Sequence, residues 1–183
     1  MEMETNKNTG SRTRQIVMCA LFAAIIAVCA QLTLPLPTQV PITLQTFAVV
    51  LCAAVGGSVS GGVSTAVYVL IGAVGVPVFA SMRGGLDVLL GPTGGFLFGF
   101  IIMAVFCGIR TSRLWSRLGL SLIGLAVCYL CGAVQYALLM QKDMITSIAL
   151  VVLPFMLKDV LSIVAAQYMA IPIRKALANV IHN

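Results

Sequence analysis

From Ile16 to Ile173 the chain alternates between long apolar runs and short breaks of glycine, proline and isolated polar residues. Runs of this kind suit a bilayer core, where about 20 apolar residues cross as a helix. The pattern predicts six helices, near 16–34, 43–57, 60–76, 94–109, 118–141 and 155–173, with a shorter apolar stretch at 144–153. Pro35 and Pro37 stop the first helix, Gly-Gly-Ser-Val-Ser-Gly-Gly at 56–62 joins the second to the third, and Pro154 opens the last. The second, third and fourth are short for a full crossing, so the loops joining them are expected to dip below the membrane surface. Short or Gly/Pro-interrupted segments of this kind are the sequence pointers to a transporter binding site.

Composition narrows the class further. Hydrophobic residues make up 60% of the chain, charged residues 9%, and the mean hydropathy is +1.08, against roughly 25% charge in a soluble domain. The reading is an all-α integral membrane protein, one membrane domain over 1–183 with a polar tail at 1–15 and a six-helix bundle at 16–175. The basic tail before an apolar run superficially resembles a signal peptide. Ile16–Leu32 is long enough to span, however, and further apolar segments follow, so it reads as a retained first helix.

Charge sets the expected orientation. With six spans, both termini and the 110–117 loop share a side, which holds Lys7, Arg12, Arg14, Arg110, Arg113, Arg117, Arg174 and Lys175, eight of the 11 Lys and Arg. The positive-inside rule then places both termini in the cytoplasm. These anchors account for the net charge of +6; no basic stripe interleaved with aromatics suggests nucleic acid. Asp87, Asp143 and Asp159 fall on the opposite side, near Arg83, Lys142 and Lys158.

Several chemistries lack their residues. The six cysteines lie in apolar segments, and Cys128-x-x-Cys131 has no His, Cys or acidic partner nearby, so they read as small buried hydrophobes. His182 stands alone. No Walker A lysine follows the glycines at 56–61, and no Ser/His/Asp or Cys/His set or acidic relay through successive helices is present. The chain reads as a non-enzyme with no metal and no cofactor.

The polar anomaly is Pro77–Gly95, which sets Arg83, Asp87 and five glycines (84, 85, 91, 94, 95) between two apolar segments. Irregular backbone near a bilayer is tolerated where protein or a water-filled cavity satisfies it. Ionisable groups near membrane helices are costly, hence functional suspects. Lys158 and Asp159, at the outer end of the last helix, are read as site residues, against a first-turn carboxylate favoured by the helix dipole and a snorkelling lysine. Arg83 and Asp87, four apart, are either a surface ion pair or part of the site. Thr43 can cap the second helix, whereas Gln45 has no capping role and reads as a ligand contact. Gln135 and Tyr136 suit interhelical hydrogen bonds. Ala20, Ala23, Ala24 and Ala27, Gly57-x-x-x-Gly61 and Gly95-x-x-x-Gly99 form flat patches for close helix approach.

At Pro-Ile-Thr-Leu-Gln-Thr-Phe (41–47), Gly-Val-Pro-Val-Phe-Ala (75–80), Gly-Gly-Leu-Asp-Val-Leu-Leu-Gly-Pro-Thr-Gly-Gly-Phe-Leu-Phe-Gly-Phe (84–100) and Leu-Pro-Phe-Met-Leu-Lys-Asp-Val-Leu (153–161), the sequence resembles the BioY family. These are the biotin-binding S components of energy-coupling factor (ECF) vitamin transporters. The resemblance runs from about residue 12 to 175. It implies a six-transmembrane-helix bundle of the S-component type in the plasma membrane, with cytoplasmic termini and an outward pocket roofed by the first and third loops. It also implies docking on a transmembrane T component bearing two ATPases, through Ala20, Ala23, Ala24 and Ala27. Family members often carry Asp followed three residues later by Lys at the start of the last helix. Here Asp159 is followed by Ser162, and the lysine is Lys158, about 100° around the helix from Asp159.

The ligand expected from the resemblance is biotin. Asp159 and Gln45 are assigned to its ureido ring, Arg83 or Lys158 to its carboxylate, and Phe79, Leu90 and the backbone around Gly94 to an apolar wall. Thr43, Gly85, Asp87, Thr93 and Ser162 complete the candidate set. The alternatives are an S component for another vitamin, a self-sufficient secondary transporter of a small organic acid, and a membrane structural protein without a ligand.

Overall fold

The computed structural model describes residues 2–182, with side chains from 12 to 177. Six helices form the bundle: α1 (Glu2–Gln31), α2 (Gln45–Gly56), α3 (Ser58–Ala73), α5 (Gly94–Cys107), α6 (Leu114–Met140) and α8 (Leu153–His182). Two short helices, α4 (Leu86–Leu90) and α7 (Met144–Val151), lie in connections, and a two-residue hairpin pairs β1 (Thr33–Leu34) with β2 (Ile42–Thr43). Segments Arg12–Gln31, Leu114–Met140 and Leu153–Leu177 are each long and apolar enough to cross a membrane. The other three are shorter apolar helices, and the 12 residues of α2 rise only about 18 Å, against a hydrocarbon core of about 30 Å.

Several boundaries differ from the sequence pattern. The first helix was expected to reach 34 but ends at Gln31, because the residue before a proline disfavours helix and Thr33 and Leu34 pair instead with Thr43 and Ile42. At the other end α1 continues back through the polar tail to Glu2, where no proline interrupts it. The second helix starts at Gln45 rather than 43: its N-cap is Leu44, and the Thr43 hydroxyl accepts the Gln45 N–H at 3.3 Å. The last helix runs past 173 to His182 despite Pro172, which removes one ladder hydrogen bond. The 144–153 stretch becomes α7, capped by the Asp143 side chain, which accepts the Thr146 N–H at 2.9 Å. That hydrogen bond holds the Asp143 carboxyl below its usual range.

α2 sits at the centre, packed on α1, α3, α5 and α8. Ala48, Val49, Val50, Ala53 and Ala54 have no exposed surface, as expected of a helix apolar all round. Small residues set the spacing of its neighbours. A side chain at Gly61 of α3 would meet the Ala53 Cα of α2 at 2.6 Å, and one at Gly99 of α5 would meet the Cys128 Cα of α6 at 2.7 Å. Gly95 is closed in the same way by the Cys131 carbonyl. The Cys-x-x-Cys pair is thus the α6 side of a glycine-lined seam, and the Cys128 thiol donates to the Phe96 carbonyl at 3.6 Å. Of the four α1 alanines singled out in the sequence, Ala20 and Ala24 are exposed and Ala27 is half-buried. Ala23 is buried in the chain's own core, so the outward small-residue patch excludes it.

Candidate ligand-binding cavity

The hairpin loop at 32–44 and the 74–93 connection fold over the same end of the bundle. Gln31, the last residue of α1, joins them: its Nε2 donates to the Val78 and Phe79 carbonyls at 3.0 and 3.1 Å, and its Oε1 accepts the Met82 N–H at 3.0 Å. The clamped turn is tight. Phe79 and Arg83 exchange backbone hydrogen bonds, and Ser81 and Met82 hold positive φ values of 60° and 57°, a conformation costing of order 1–3 kcal/mol per residue.

Beneath this turn is a cavity of about 180 Å³. Phe96, Leu97 and Phe100 of α5 and Phe155 of α8 give it an apolar wall. Phe79 is 1% exposed, with its ring in the notch left by Gly72 and edge-on to Tyr68 (5.6 Å, 82°). Gln45, in the first turn of α2, is also buried, and its Nε2 donates to the Tyr68 hydroxyl at 3.3 Å.

The charged centre is Asp159, 3% exposed. Its Oδ2 accepts a hydrogen bond from the Tyr129 hydroxyl of α6 at 2.8 Å. Its Oδ1 is held by the Lys158 ammonium in an ion pair. Lys158 lies next to Asp159 in sequence rather than one turn away, yet its long stem brings Nζ back to the carboxylate, and Nζ also donates to the Thr43 carbonyl at 2.7 Å. A buried carboxylate persists when a cation and donors compensate for its lost hydration. Asp159 has one of each, and each of its oxygens keeps a further lone pair for a donor. Arg83 stands at the rim, its side chain 52% exposed and 3.6 Å from Asp87.

Of the residues predicted from sequence, Thr43, Gln45, Phe79, Arg83, Thr93, Lys158 and Asp159 line this cavity. Gly85, Asp87, Leu90, Gly94 and Ser162 lie off its wall. Gly85, at φ 108°, caps α4 and donates its N–H to the Gly72 carbonyl at 2.7 Å. Asp87 faces outward to Arg83, and Leu90 is 73% exposed instead of forming the wall. Gly94 is a packing glycine, since any side chain there would overlap the Leu89 carbonyl and the Gln135 amide. Ser162 borders a separate apolar groove with Leu44, Phe47, Leu157 and Leu161. Gln135 satisfies loop backbone, donating to the Leu89 and Gly91 carbonyls at 2.8 Å each.

Sequence reasoning missed Tyr129, Gln31 and the phenylalanine wall. Gln31 did carry a signal, as a lone amide ending an apolar helix just before a proline-rich turn. Tyr129 carried none, because its partner lies 30 residues further along the chain.

The BioY family model matches residues 3–179. The chain is 39% identical to the biotin transporter BioY of Thermotoga maritima, over 88% of this chain and 96% of that protein. It is 35% identical to the probable biotin transporter BioY of Pyrococcus horikoshii, over 87% and 95% respectively. Its fold matches the crystal structure of the S component for biotin from an ECF-type ABC transporter with a TM-score of 0.82, 21% identity, and 91% and 93% of the two chains covered. With multiple apolar helices and a family match over nearly its whole length, this multi-pass membrane protein belongs to the BioY family.

Proposed function

We propose that this chain captures biotin and carries it across the plasma membrane as the S component of an ECF-type transporter. The observation that carries this reading is Asp159, a buried carboxylate on the cavity wall whose partners Tyr129 and Lys158 leave acceptor capacity on both oxygens. Biotin offers a flat ureido ring with two N–H donors and a carbonyl, a thioether ring, and a carboxylate tail. Asp159 accepts from one ureido N–H and Gln45 meets the same ring. The phenylalanine wall packs on the thioether ring, with Thr43 and Thr93 at its margin. Lys158 is already engaged with Asp159 and the Thr43 carbonyl, so Arg83 at the rim takes the carboxylate. Gly85, Asp87, Leu90, Gly94 and Ser162 shape the loops and helices around this set without touching the ligand.

The chain performs no catalysis in this scheme and needs no metal or cofactor. It docks on a T component through the exposed α1 alanines Ala20 and Ala24, two ATPases supply the energy, and both termini are cytoplasmic. The test is calorimetric titration of the detergent-solubilised protein. Wild type binds biotin, and Asp159→Asn weakens binding at least about tenfold, since a hydrogen bond to a charged group contributes roughly 1.5–3 kcal/mol. Unchanged affinity in that variant removes Asp159 from the site. Binding of thiamin, riboflavin or lipoate in place of biotin overturns the ligand.

A further inference from the structure

The opposite end of the bundle carries a second polar centre. Gln167 of α8 donates to the Cys107 carbonyl at the end of α5 (3.2 Å) and to the Ser121 hydroxyl of α6 (2.9 Å), fixing which faces of the three helices meet. Moving outward from that junction, each segment places an arginine on the same seam. Arg174 lies two turns beyond Gln167, Arg117 one turn before Ser121, and Arg110 three residues after Cys107. The three are close enough for the positive charges of Arg117 and Arg110 to act on Arg174. Arg117 is held in place through its Nε, which donates to the Thr111 carbonyl at 2.9 Å. Asp159 lies 15 residues back along α8 from Arg174, about 22 Å away, and Asp87 and Asp143 also lie toward the cavity end, so none of the acids with described side chains faces this cluster.

Two observations make this more than a patch of anchors. The Nε and Nη2 atoms of Arg174 are buried from solvent and have no hydrogen-bond acceptor. Buried guanidinium N–H groups without acceptors are costly, and two neighbouring arginines raise that cost, so the site favours an anion with several oxygens. Trp115, the one tryptophan, is 83% exposed in the first turn of α6, two residues before Arg117. An exposed tryptophan at the end of a membrane-spanning helix belongs at headgroup level, the layer where lipid phosphates sit.

We infer that Arg110, Arg117 and Arg174 form a binding site for the phosphate of an anionic phospholipid headgroup. Arg174 contributes charge beneath the phosphate, Arg117 and Arg110 contribute charge from either side, and Trp115 holds the glycerol level. The inference is independent of what occupies the cavity, because it rests on residues at the other end of the helices.

The test uses delipidated full-length protein in a neutral detergent. It is titrated with short-chain phosphatidylglycerol, short-chain phosphatidylcholine or inorganic phosphate, read by thermal unfolding and by lipid retention in native mass spectrometry. Phosphatidylglycerol is expected to raise the unfolding midpoint and stay bound, while phosphatidylcholine does neither. Arg174→Gln should lower the apparent affinity for phosphatidylglycerol by about tenfold. Arg110→Gln, at an exposed position, should lower it several-fold with the lipid-free midpoint unchanged, and decides the matter should Arg174→Gln fail to fold. Equal effects of the two lipids, or Gln variants that bind phosphatidylglycerol like wild type, would overturn the site. A shift reproduced by inorganic phosphate alone would overturn its assignment to lipid.

Discussion

Tyr129 holds one oxygen of Asp159 and Lys158 the other, leaving a lone pair on each, so the carboxylate is oriented but not saturated. Removing the phenol hydroxyl tests that division. Tyr129→Phe should leave the fold intact and weaken biotin binding by about three- to tenfold, an effect smaller than that of Asp159→Asn, because Tyr129 positions the acceptor without being one. Titration of both variants side by side checks the order; equal losses would mean that the phenol itself meets the ligand. The two candidate cations separate by a ligand change. Arg83→Gln should weaken binding of biotin but not of biotin amide, whose tail is uncharged, and Lys158→Met should weaken both by releasing Asp159. At this scale Asp159, Lys158, Gln45 and Arg83 were legible in the sequence because ionisable and amide groups are expensive near a membrane helix. Tyr129 and the phenylalanine wall were not, since aromatics are ordinary in apolar helices and their convergence depends on how α5, α6 and α8 pack.

The helices owe their contacts to a few glycines, and these divide by what surrounds them. Gly99 faces the Cys128 backbone, which cannot rotate away, whereas a side chain at Gly119 in α6 would enter open space. Gly99→Val should therefore destabilise the protein by roughly 1–3 kcal/mol, and Gly119→Ala should stabilise it by about 0.5–1 kcal/mol. Thermal unfolding in one detergent compares them directly. Gln31 acts on a loop rather than a helix. Gln31→Ala frees the Val78–Met82 turn, with its two left-handed residues, from the end of α1. The expected outcome is faster biotin release by stopped-flow displacement, with the melting temperature nearly unchanged. The glycine seam was readable from Gly95-x-x-x-Gly99, and the loop's importance from its density of glycine and charge. The hairpin and α4 were not, being too short for any periodicity to register. The early end of α1 follows from Pro35 once the β1–β2 pairing is known, and that pairing is a tertiary fact.

Over the whole molecule the charged groups with described side chains segregate to the two ends of a bundle whose middle is packed and uncharged. The cavity and the acids with described side chains occupy one end, and the arginine seam occupies the other. Hydropathy and the lysine and arginine count made the six-helix plan legible, because membrane insertion imposes length and charge rules on sequence directly. Such an arrangement can bind, but a solute held between α2, α5, α6 and α8 reaches the far side only if the bundle is reoriented or opened. An affinity site cannot by itself move its ligand uphill, since whatever stabilises the bound state deepens the well from which release must occur. The protein alone, reconstituted in liposomes, should therefore bind labelled biotin saturably and equilibrate none of it against a gradient. Co-reconstitution with a T component and its two ATPases should make accumulation ATP-dependent, and Asp159→Asn should lower that rate in proportion to its lost occupancy at subsaturating biotin. Accumulation by the lone chain under an imposed proton or sodium gradient would instead assign it a coupling site of its own, and would place the engine inside the bundle.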